Sequence, residues 1–205
     1  IFTDTENAVH TNFILSIFAT NVLTPSCYLG SFGKKQKNYN GYHELAYLHP
    51  KYYKPDSSVL GLLGVKKNEK YVIVRFVSWQ AVHDIGHSGL SLKTKIEAVN
   101  KFLQYGKVFI TSESPLSNDL EQYRITIPPE RIHDALYFAT LFYGESSTMA
   151  SESSVLGTPS IFLDNAGRGY TDEQEKKYGL VFNFSESIND QKKSIEKGVE
   201  LLNNK

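Results

Sequence analysis

The feature that most constrains the fold is a β-rich run, YVIVRFV at residues 71–77, followed by a regular alternation of helical and strand patterns. A run of this length and composition is typical of a strand buried in a parallel sheet. Further strands are predicted at 107–111, 141–143, 160–163 and 180–184, with helical patterns between them. This alternation predicts an α/β fold built on a doubly wound parallel sheet.

Serine, threonine and glycine residues stand where several of these helices are expected to begin or end. Ser91 and Ser187 are placed to cap the N-termini of two helices. Ser147 or Thr148 is expected to cap a shorter helix that ends at Gly157, because glycine is a common C-terminal signal. The loops that join strands to helices follow from these boundaries.

The composition excludes several classes of protein. Of 205 residues, 40% are hydrophobic, which is enough for a core and argues against a mainly disordered chain. Lys and Arg together number 22, as do Asp and Glu, so nucleic acid is not an expected partner. No apolar run approaches the roughly 20 residues of a membrane-spanning helix. The single cysteine, Cys27, excludes an internal disulfide and favours a reducing, cytoplasmic compartment.

Two features of the N-terminal part bear on domain organisation. The chain opens at Ile1 and its one methionine is Met149, so we expect a fragment of a longer protein. Residues 26–40 are rich in Gly, Ser, Lys and Asn, which predicts a linker or a surface crossing. A domain upstream would then contribute to the function.

The most informative loop follows the strand at 141–143, because ligands of doubly wound sheets bind beyond the carboxyl ends of the strands. Gly144 permits close approach of the backbone, and Ser146, Ser147 and Thr148 place hydroxyls beside a helix N-terminus. The first amides of a helix lack backbone partners and carry the positive end of its dipole. The pattern therefore favours a phosphate site, although ordinary helix capping explains the same residues.

Glu152 helps to separate these two interpretations. A capping box needs an acidic residue three positions after the cap, but Glu152 lies four after Thr148 and five after Ser147. A carboxylate one turn into the helix can instead accept hydrogen bonds from two ribose hydroxyls.

The loop after the strand at 71–77 carries the candidates for proton transfer. His83 and Asp84 form a pair suited to general acid and base chemistry, and a histidine bonded to the backbone is the alternative. His83 and His87 have the spacing of a helical zinc pair, but Gly86 argues against a helix and no third ligand is evident. We therefore expect no metal.

Two arginines and a glutamate lie at other strand ends. Arg75 interrupts a buried strand, and an unpaired buried cation is costly, so it should face a carboxylate or a bound phosphate. Arg168 follows a strand in a glycine-flanked loop, where it could reach a diphosphate or be solvated. Glu113 could bind a sugar hydroxyl or cap the next turn through Ser114.

The segment from Gly144 onward resembles the nucleotide-binding signature of glycosyltransferase-B (GT-B) fold proteins, especially UDP-N-acetylglucosamine 2-epimerases. In that signature a turn of small residues holds the diphosphate, and a glutamate six residues after the serine of the turn holds the ribose. Ser146 and Glu152 have this spacing, while Ser147 and Thr148 stand where the epimerases carry glycines. The Gly-x-Pro of the family also follows here.

A broader likeness covers nearly the whole chain. It is similar to a family of unknown function whose members are predicted glycosyltransferase or epimerase relatives, in the segments GYHELAYLHP (41–50), RFVSWQAVHDIGHSGL (75–90), ITSE (110–113) and IHDALYFA (132–139). Members usually have an N-terminal Rossmann-like domain as well. The resemblance implies that residues 1–40 are a remnant of that domain plus a linker. Residues 41–205 would be a Rossmann-like nucleotide-sugar-binding domain, the C-terminal half of a GT-B-type architecture.

The resemblance implies binding of a nucleotide-diphosphate sugar such as UDP-GlcNAc, as the substrate of glycosyl transfer or 2-epimerisation. No cofactor is expected, and a missing N-terminal domain would complete the cleft. The implied acid/base residues are His83 and Asp84, and the implied nucleotide-sugar ligands are Arg75, Gly144, Ser146, Ser147, Thr148, Glu152 and Arg168.

Two alternatives from other classes stay open. A non-catalytic nucleotide-sugar-binding module is the stronger of the two, because half of a cleft is expected to be absent. A serine hydrolase is the second, but residues 144–148 lack the second glycine of the Gly-x-Ser-x-Gly nucleophile turn.

Overall fold

The structure is a computed structural model that describes residues 2–3, 14, 16–78 and 89–204. The strands are β1 (Phe2–Thr3), β2 (Val22–Pro25), β3 (Gln36–Tyr39), β4 (Tyr71–Phe76), β5 (Lys107–Ser112), β6 (Leu141–Gly144), β7 (Ser160–Leu163) and β8 (Val181–Phe184). The α-helices are α1 (Leu45–Leu48), α2 (Val59–Leu62), α3 (Leu92–Phe102), α4 (Asn118–Glu121), α5 (Ile132–Phe138), α6 (Ser147–Val155), α7 (Gly169–Glu173) and α8 (Ile188–Asn203). Short 3-10 turns lie at Gly33–Lys35 and Pro129–Arg131, and a π-helical turn, Gln174–Tyr178, continues α7.

Five parallel strands form the main sheet, in the order β5–β4–β6–β7–β8. The chain passes from β4 to β5 on one side and then crosses to β6 on the other. The point between β4 and β6 is therefore the topological switch point, where a crevice opens beyond the carboxyl ends of the strands. The predicted α/β class with a doubly wound parallel sheet is confirmed.

Helices cover both faces of this sheet. Along β4, Val72, Val74 and Phe76 pack with residues of α3 and α8, whereas Tyr71 and Ile73 pack with residues of α2, α5 and α6. Side chains of a strand alternate between faces, so a strand buried on both sides reads as a continuous apolar run. This is the physical basis of the YVIVRFV pattern.

The helix caps at Ser91 and Ser187 are as predicted. Each serine accepts a hydrogen bond from a backbone amide in the first turn, Thr94 for Ser91 and Asp190 for Ser187. A hydroxyl that satisfies one of these otherwise unpaired amides stabilises the helix start. Both helices therefore begin where the sequence indicates.

A second, three-stranded sheet has the order β1–β2–β3, with all strands parallel. Its strand β3 lies in the segment 26–40, where the sequence predicts a linker or a surface crossing, and the residues of β3 are half-buried or exposed. Polar side chains, and not an apolar pattern, join β3 to β2. Gln36 donates to Thr24 Oγ1 at 2.9 Å, and Thr24 donates to Asn38 Oδ1 at 3.0 Å. The division into 1–40 and 41–205 stays a prediction.

In the part of the chain that the structure covers, every helix is too short or too polar to cross a membrane.

Candidate functional site

The loop after β6 begins with a close contact between two strands. Gly144 is in register with Arg75 of β4, and a Cβ atom added at Gly144 would lie 2.4 Å from the Arg75 carbonyl oxygen. Such a distance is shorter than real Cβ atoms show, so only glycine fits this position. The sequence indicates a close backbone approach at Gly144, and in the structure this approach is between strands β6 and β4.

Ser146, and not Ser147 or Thr148, caps α6. Its Oγ accepts a hydrogen bond from the backbone amide of Met149 at 3.3 Å, and its φ and ψ of −96° and 111° lie in the extended region. The predicted cap is therefore wrong by one or two residues, because β6 extends to Gly144 and the turn to α6 is correspondingly tight. Ser147 and Thr148 become the first two residues of the helix.

This assignment leaves the hydroxyls and amides of Ser147 and Thr148 available to a ligand. Neither residue's amide or hydroxyl makes a hydrogen bond within the described parts of the chain. Ser147 is half-buried and Thr148 is exposed, at the carboxyl end of β6 beside the switch point. The positive end of the α6 dipole adds to these donors, so the turn can bind an anion such as phosphate.

Glu152, one turn further along α6, is buried and already holds two side chains. Its Oε1 accepts a hydrogen bond from the Tyr47 hydroxyl at 2.9 Å and lies 2.9 Å from His133 Nε2. Burial, together with the Glu152 carboxylate, raises the pKa of Tyr47, which keeps its hydroxyl a donor. Glu152 Oε2 makes no hydrogen bond to another residue that the structure describes, and it is the oxygen left for a ligand.

Tyr47 and His133 are the site residues that sequence reasoning missed. Their rings lie 5.6 Å apart between centroids, and Tyr53 contacts His133 edge-on at 6.3 Å. Tyr47 lies 105 residues from Glu152 in the chain, so no local spacing connects them. The only signal was that Tyr47 and His133 both fall in segments that carry the family resemblance.

A second buried carboxyl, Glu44, lies in the same region. Burial raises its pKa and the Glu152 carboxylate adds to this, while hydrogen bonds from its own backbone and from Ser151 oppose the shift only in part. Ser151 in turn accepts a hydrogen bond from Gln174 at 2.8 Å. The inner side of α6 therefore carries a continuous polar network beneath the candidate site.

Arg75 faces a carboxylate, as predicted. Its Nη2 lies 2.5 Å from Glu113 Oε1, and its Nη1 donates to Thr111 Oγ1 at 2.7 Å. Burial alone would raise the pKa of Glu113, but the backbone amide of Ser78 and the Arg75 guanidinium together hold it below its ordinary value. The guanidinium thus points toward β5, and its contact with a nucleotide stays a prediction.

Arg168 is paired as well. Its Nη1 lies 2.9 Å from Asp164 Oδ2 and donates to the Gly167 carbonyl at 2.6 Å, and the side chain is only 14% exposed. The alternative of a solvated arginine is therefore wrong. A role toward a diphosphate stays a prediction.

The structure thus places Gly144, Ser146, Ser147, Thr148 and Glu152 on one turn and helix. The predicted acid/base residues, His83 and Asp84, lie outside the described residues, as does His87. Among the residues that are described, no cluster of three or more His, Cys, Asp or Glu could hold a metal.

The sheet order and the helix start at its switch point define a Rossmann-like α/β domain of the kind that forms half of a GT-B-type architecture. The UDP-GlcNAc 2-epimerase from Methanocaldococcus jannaschii is similar over 99% of this chain and 69% of its own, with 12% sequence identity and a TM-score of 0.53. This likeness establishes the fold, and the predicted GT-B-type fold class is confirmed.

Two further solved structures are similar. The match to the glycotransferase of kitacinnamycin covers 91% of this chain and 50% of that protein, with 12% sequence identity and a TM-score of 0.44. The match to the β-Kdo 2,7 transferase KpsC from Thermosulfurimonas dismutans covers 100% of this chain and 98% of that protein, with 12% sequence identity and a TM-score of 0.41. Protein-family models and curated proteins gave no match to the sequence.

Proposed function

We propose that this protein binds a nucleotide-diphosphate sugar, with a UDP-sugar as the first candidate. The observation that carries the proposal is the start of α6, beside the switch point, where the amides and hydroxyls of Ser147 and Thr148 bond to no residue that the structure describes. One turn further along α6, the carboxylate of Glu152 supplies an acceptor for ribose hydroxyls. A uridine base is suggested by the resemblance alone.

The two ends of the ligand have separate partners. Ser147 and Thr148, with the α6 dipole, would hold the diphosphate, and Ser146 would keep the helix start in place. The Oε2 atom of Glu152 would accept the ribose hydroxyls, while Tyr47 and His133 fix the carboxylate through Oε1. A carboxylate with one oxygen held by two protein side chains is preorganised to present its other oxygen to a ligand.

The reaction we propose is glycosyl transfer or 2-epimerisation. The donors at α6 would stabilise the charge of the diphosphate, as a leaving group in the first case and as an anchor in the second. His83 and Asp84 are the proposed acid and base, and a domain facing the cleft would supply the acceptor side. A serine hydrolase is disfavoured, because neither Ser146 nor Ser147 is hydrogen-bonded to a histidine that the structure describes.

Calorimetry with UDP and uridine tests the binding proposal. UDP should bind more tightly than uridine, because only UDP reaches the donors of Ser147 and Thr148. Equal affinity for the two, or no binding of either, would remove the phosphate assignment.

A His83→Gln variant in a protein that turns over a UDP-sugar separates an enzyme from a binding module. Turnover should fall about 100-fold or more with UDP affinity nearly unchanged, because proton transfer typically contributes this much. Unchanged turnover would exclude His83 as the acid or base. A chain that binds UDP-sugars without converting them would favour the non-catalytic module.

A further inference from the structure

Three glutamates hold the two ends of the connection between β4 and α3. Glu113 follows β5, Glu145 follows β6 and Glu186 follows β8, so each comes from a different loop at the carboxyl edge of the sheet. Each accepts hydrogen bonds from backbone amides at the beginning or the end of that connection. Neither Glu145 nor Glu186 belongs to a motif that indicates a role from the sequence alone.

Glu145 bonds to both ends of the connection. Its Oε2 accepts from the amide of Val77 at 3.0 Å, and its Oε1 accepts from the amide of Leu90 at 2.5 Å. The side chain is fully buried, with the Lys95 ammonium 3.5 Å from Oε2. Backbone amides bonded to a buried carboxylate are held by charge-assisted hydrogen bonds, which are stronger than neutral ones.

The other two glutamates also bond to residues at these ends. Glu113 accepts from the amide and the hydroxyl of Ser78, both at 3.2 Å. Glu186 accepts from the amide of Gly89 at 2.9 Å. Glu186 therefore offers a matched control, since it is also buried and also accepts a backbone amide of this connection.

The position of Glu145 connects these ends to the proposed phosphate turn. It directly precedes Ser146, the cap of α6, and its own amide donates to the Arg75 carbonyl at 3.1 Å. Main chain and side chain of one residue thus bridge the turn, strand β4 and both ends of the connection. The Glu145 carboxylate thus contacts Val77 and Leu90 directly, next to the residue that caps α6.

We propose that Glu145 is a positioning residue that couples ligand binding at the α6 turn to the connection between β4 and α3. The proposal rests on the function proposed above, because it requires a phosphate-bearing ligand at Ser147 and Thr148. A ligand that steadies the turn also steadies Glu145 and, through it, the amides of Val77 and Leu90. Glu145 acts by holding the amides of Val77 and Leu90, without touching the ligand.

Amide hydrogen exchange resolved by residue, with and without saturating UDP, tests the coupling. In the wild-type chain UDP should slow exchange at both Val77 and Leu90 by about tenfold, since such exchange reports local opening. Glu145→Gln should abolish this effect while UDP still binds, and Glu186→Gln should preserve it. A residue with a purely structural role would lower stability and leave the response to UDP in place.

The result that would overturn the coupling differs from the result that would overturn the binding proposal. If UDP binds and leaves exchange at Val77 and Leu90 unchanged, the coupling is overturned and the binding proposal stands. If UDP does not bind, the binding proposal fails and the coupling, which needs that ligand, fails with it. The wild-type comparison needs no variant, so a Glu145→Gln chain that does not fold leaves the test intact.

Discussion

The main chain of Gly144 lies directly against that of Arg75, with no room for a side chain between the two strands. An added Cβ would lie 2.4 Å from the Arg75 carbonyl oxygen and 2.9 Å from its amide nitrogen. This contact seats the end of β6 beside β4 and sets where the turn into α6 begins. The packing of β6 against β4 therefore requires a glycine at position 144, independently of any phosphate binding by the loop.

We expect Gly144→Ala to lower the free energy of unfolding by about 1–3 kcal/mol, as overpacking against rigid backbone does. Chemical denaturation measures this loss. Gly61→Ala is the matched control, because nothing lies within 4 Å of a Cβ added at that position. Equal stability of the two variants would contradict the close contact.

Substitutions of the three hydroxyl residues at the start of α6 should have different effects, one on stability and two on UDP binding. Ser146→Ala should cost about 1 kcal/mol of stability, the typical loss for an N-cap. Ser147→Ala and Thr148→Ala should leave stability nearly unchanged and together weaken UDP binding about tenfold, because each removes a hydrogen bond to a charged group. Thermal melts and calorimetry measure the two effects, and uridine binding should not respond to either substitution.

Glu152 should affect both stability and binding. Glu152→Ala leaves the Tyr47 hydroxyl and His133 Nε2 without their acceptor, so we expect a loss of about 1–3 kcal/mol in stability. Glu152→Gln keeps a carbonyl acceptor and removes the charge, so it should weaken UDP binding with a smaller loss of stability.

Tyr47→Phe is the control for Glu152, since it removes one bond to Oε1 and leaves the carboxylate. Its UDP affinity should exceed that of Glu152→Gln. If UDP binding is the same in wild type and Glu152→Gln, the carboxylate does not hold the ribose.

Glu44 should make stability depend on pH. Burial raises its pKa above the ordinary 4.5, so the folded state favours the protonated acid. Its cost to stability is absent well below pH 4.5 and grows as the pH rises through the folded-state pKa. Glu44→Gln should therefore stabilise the protein near pH 7 and have little effect near pH 3.

Denaturation curves at several pH values check this prediction. Glu130→Gln, at an exposed position, is the control and should show little difference from wild type across the range. A Glu44→Gln variant that is less stable than wild type at neutral pH would show that the ionised carboxylate is needed in the fold.

Much of the fold could be predicted from the sequence, because strands, helices and caps are decided by nearby residues. The apolar run at β4 and the serines that cap α3 and α8 are local signals of this kind. The strand β3 escaped detection because side chains of β2 stabilise it, and those lie more than ten residues away. The cap of α6 moved to Ser146 because strand pairing, and not the serine pattern, determined where β6 ends.

The sequence by itself determined the α/β alternation and the presence of a hydroxyl-rich helix start followed by Glu152. Only the tertiary structure decided that Tyr47 and His133 hold Glu152, and that Glu145 bonds to both Val77 and Leu90. Those contacts depend on which strands lie side by side and on where the chain crosses over the sheet. Neither leaves a periodic mark on the sequence, because the partners are far apart in the chain and meet only when the sheet and its helices assemble.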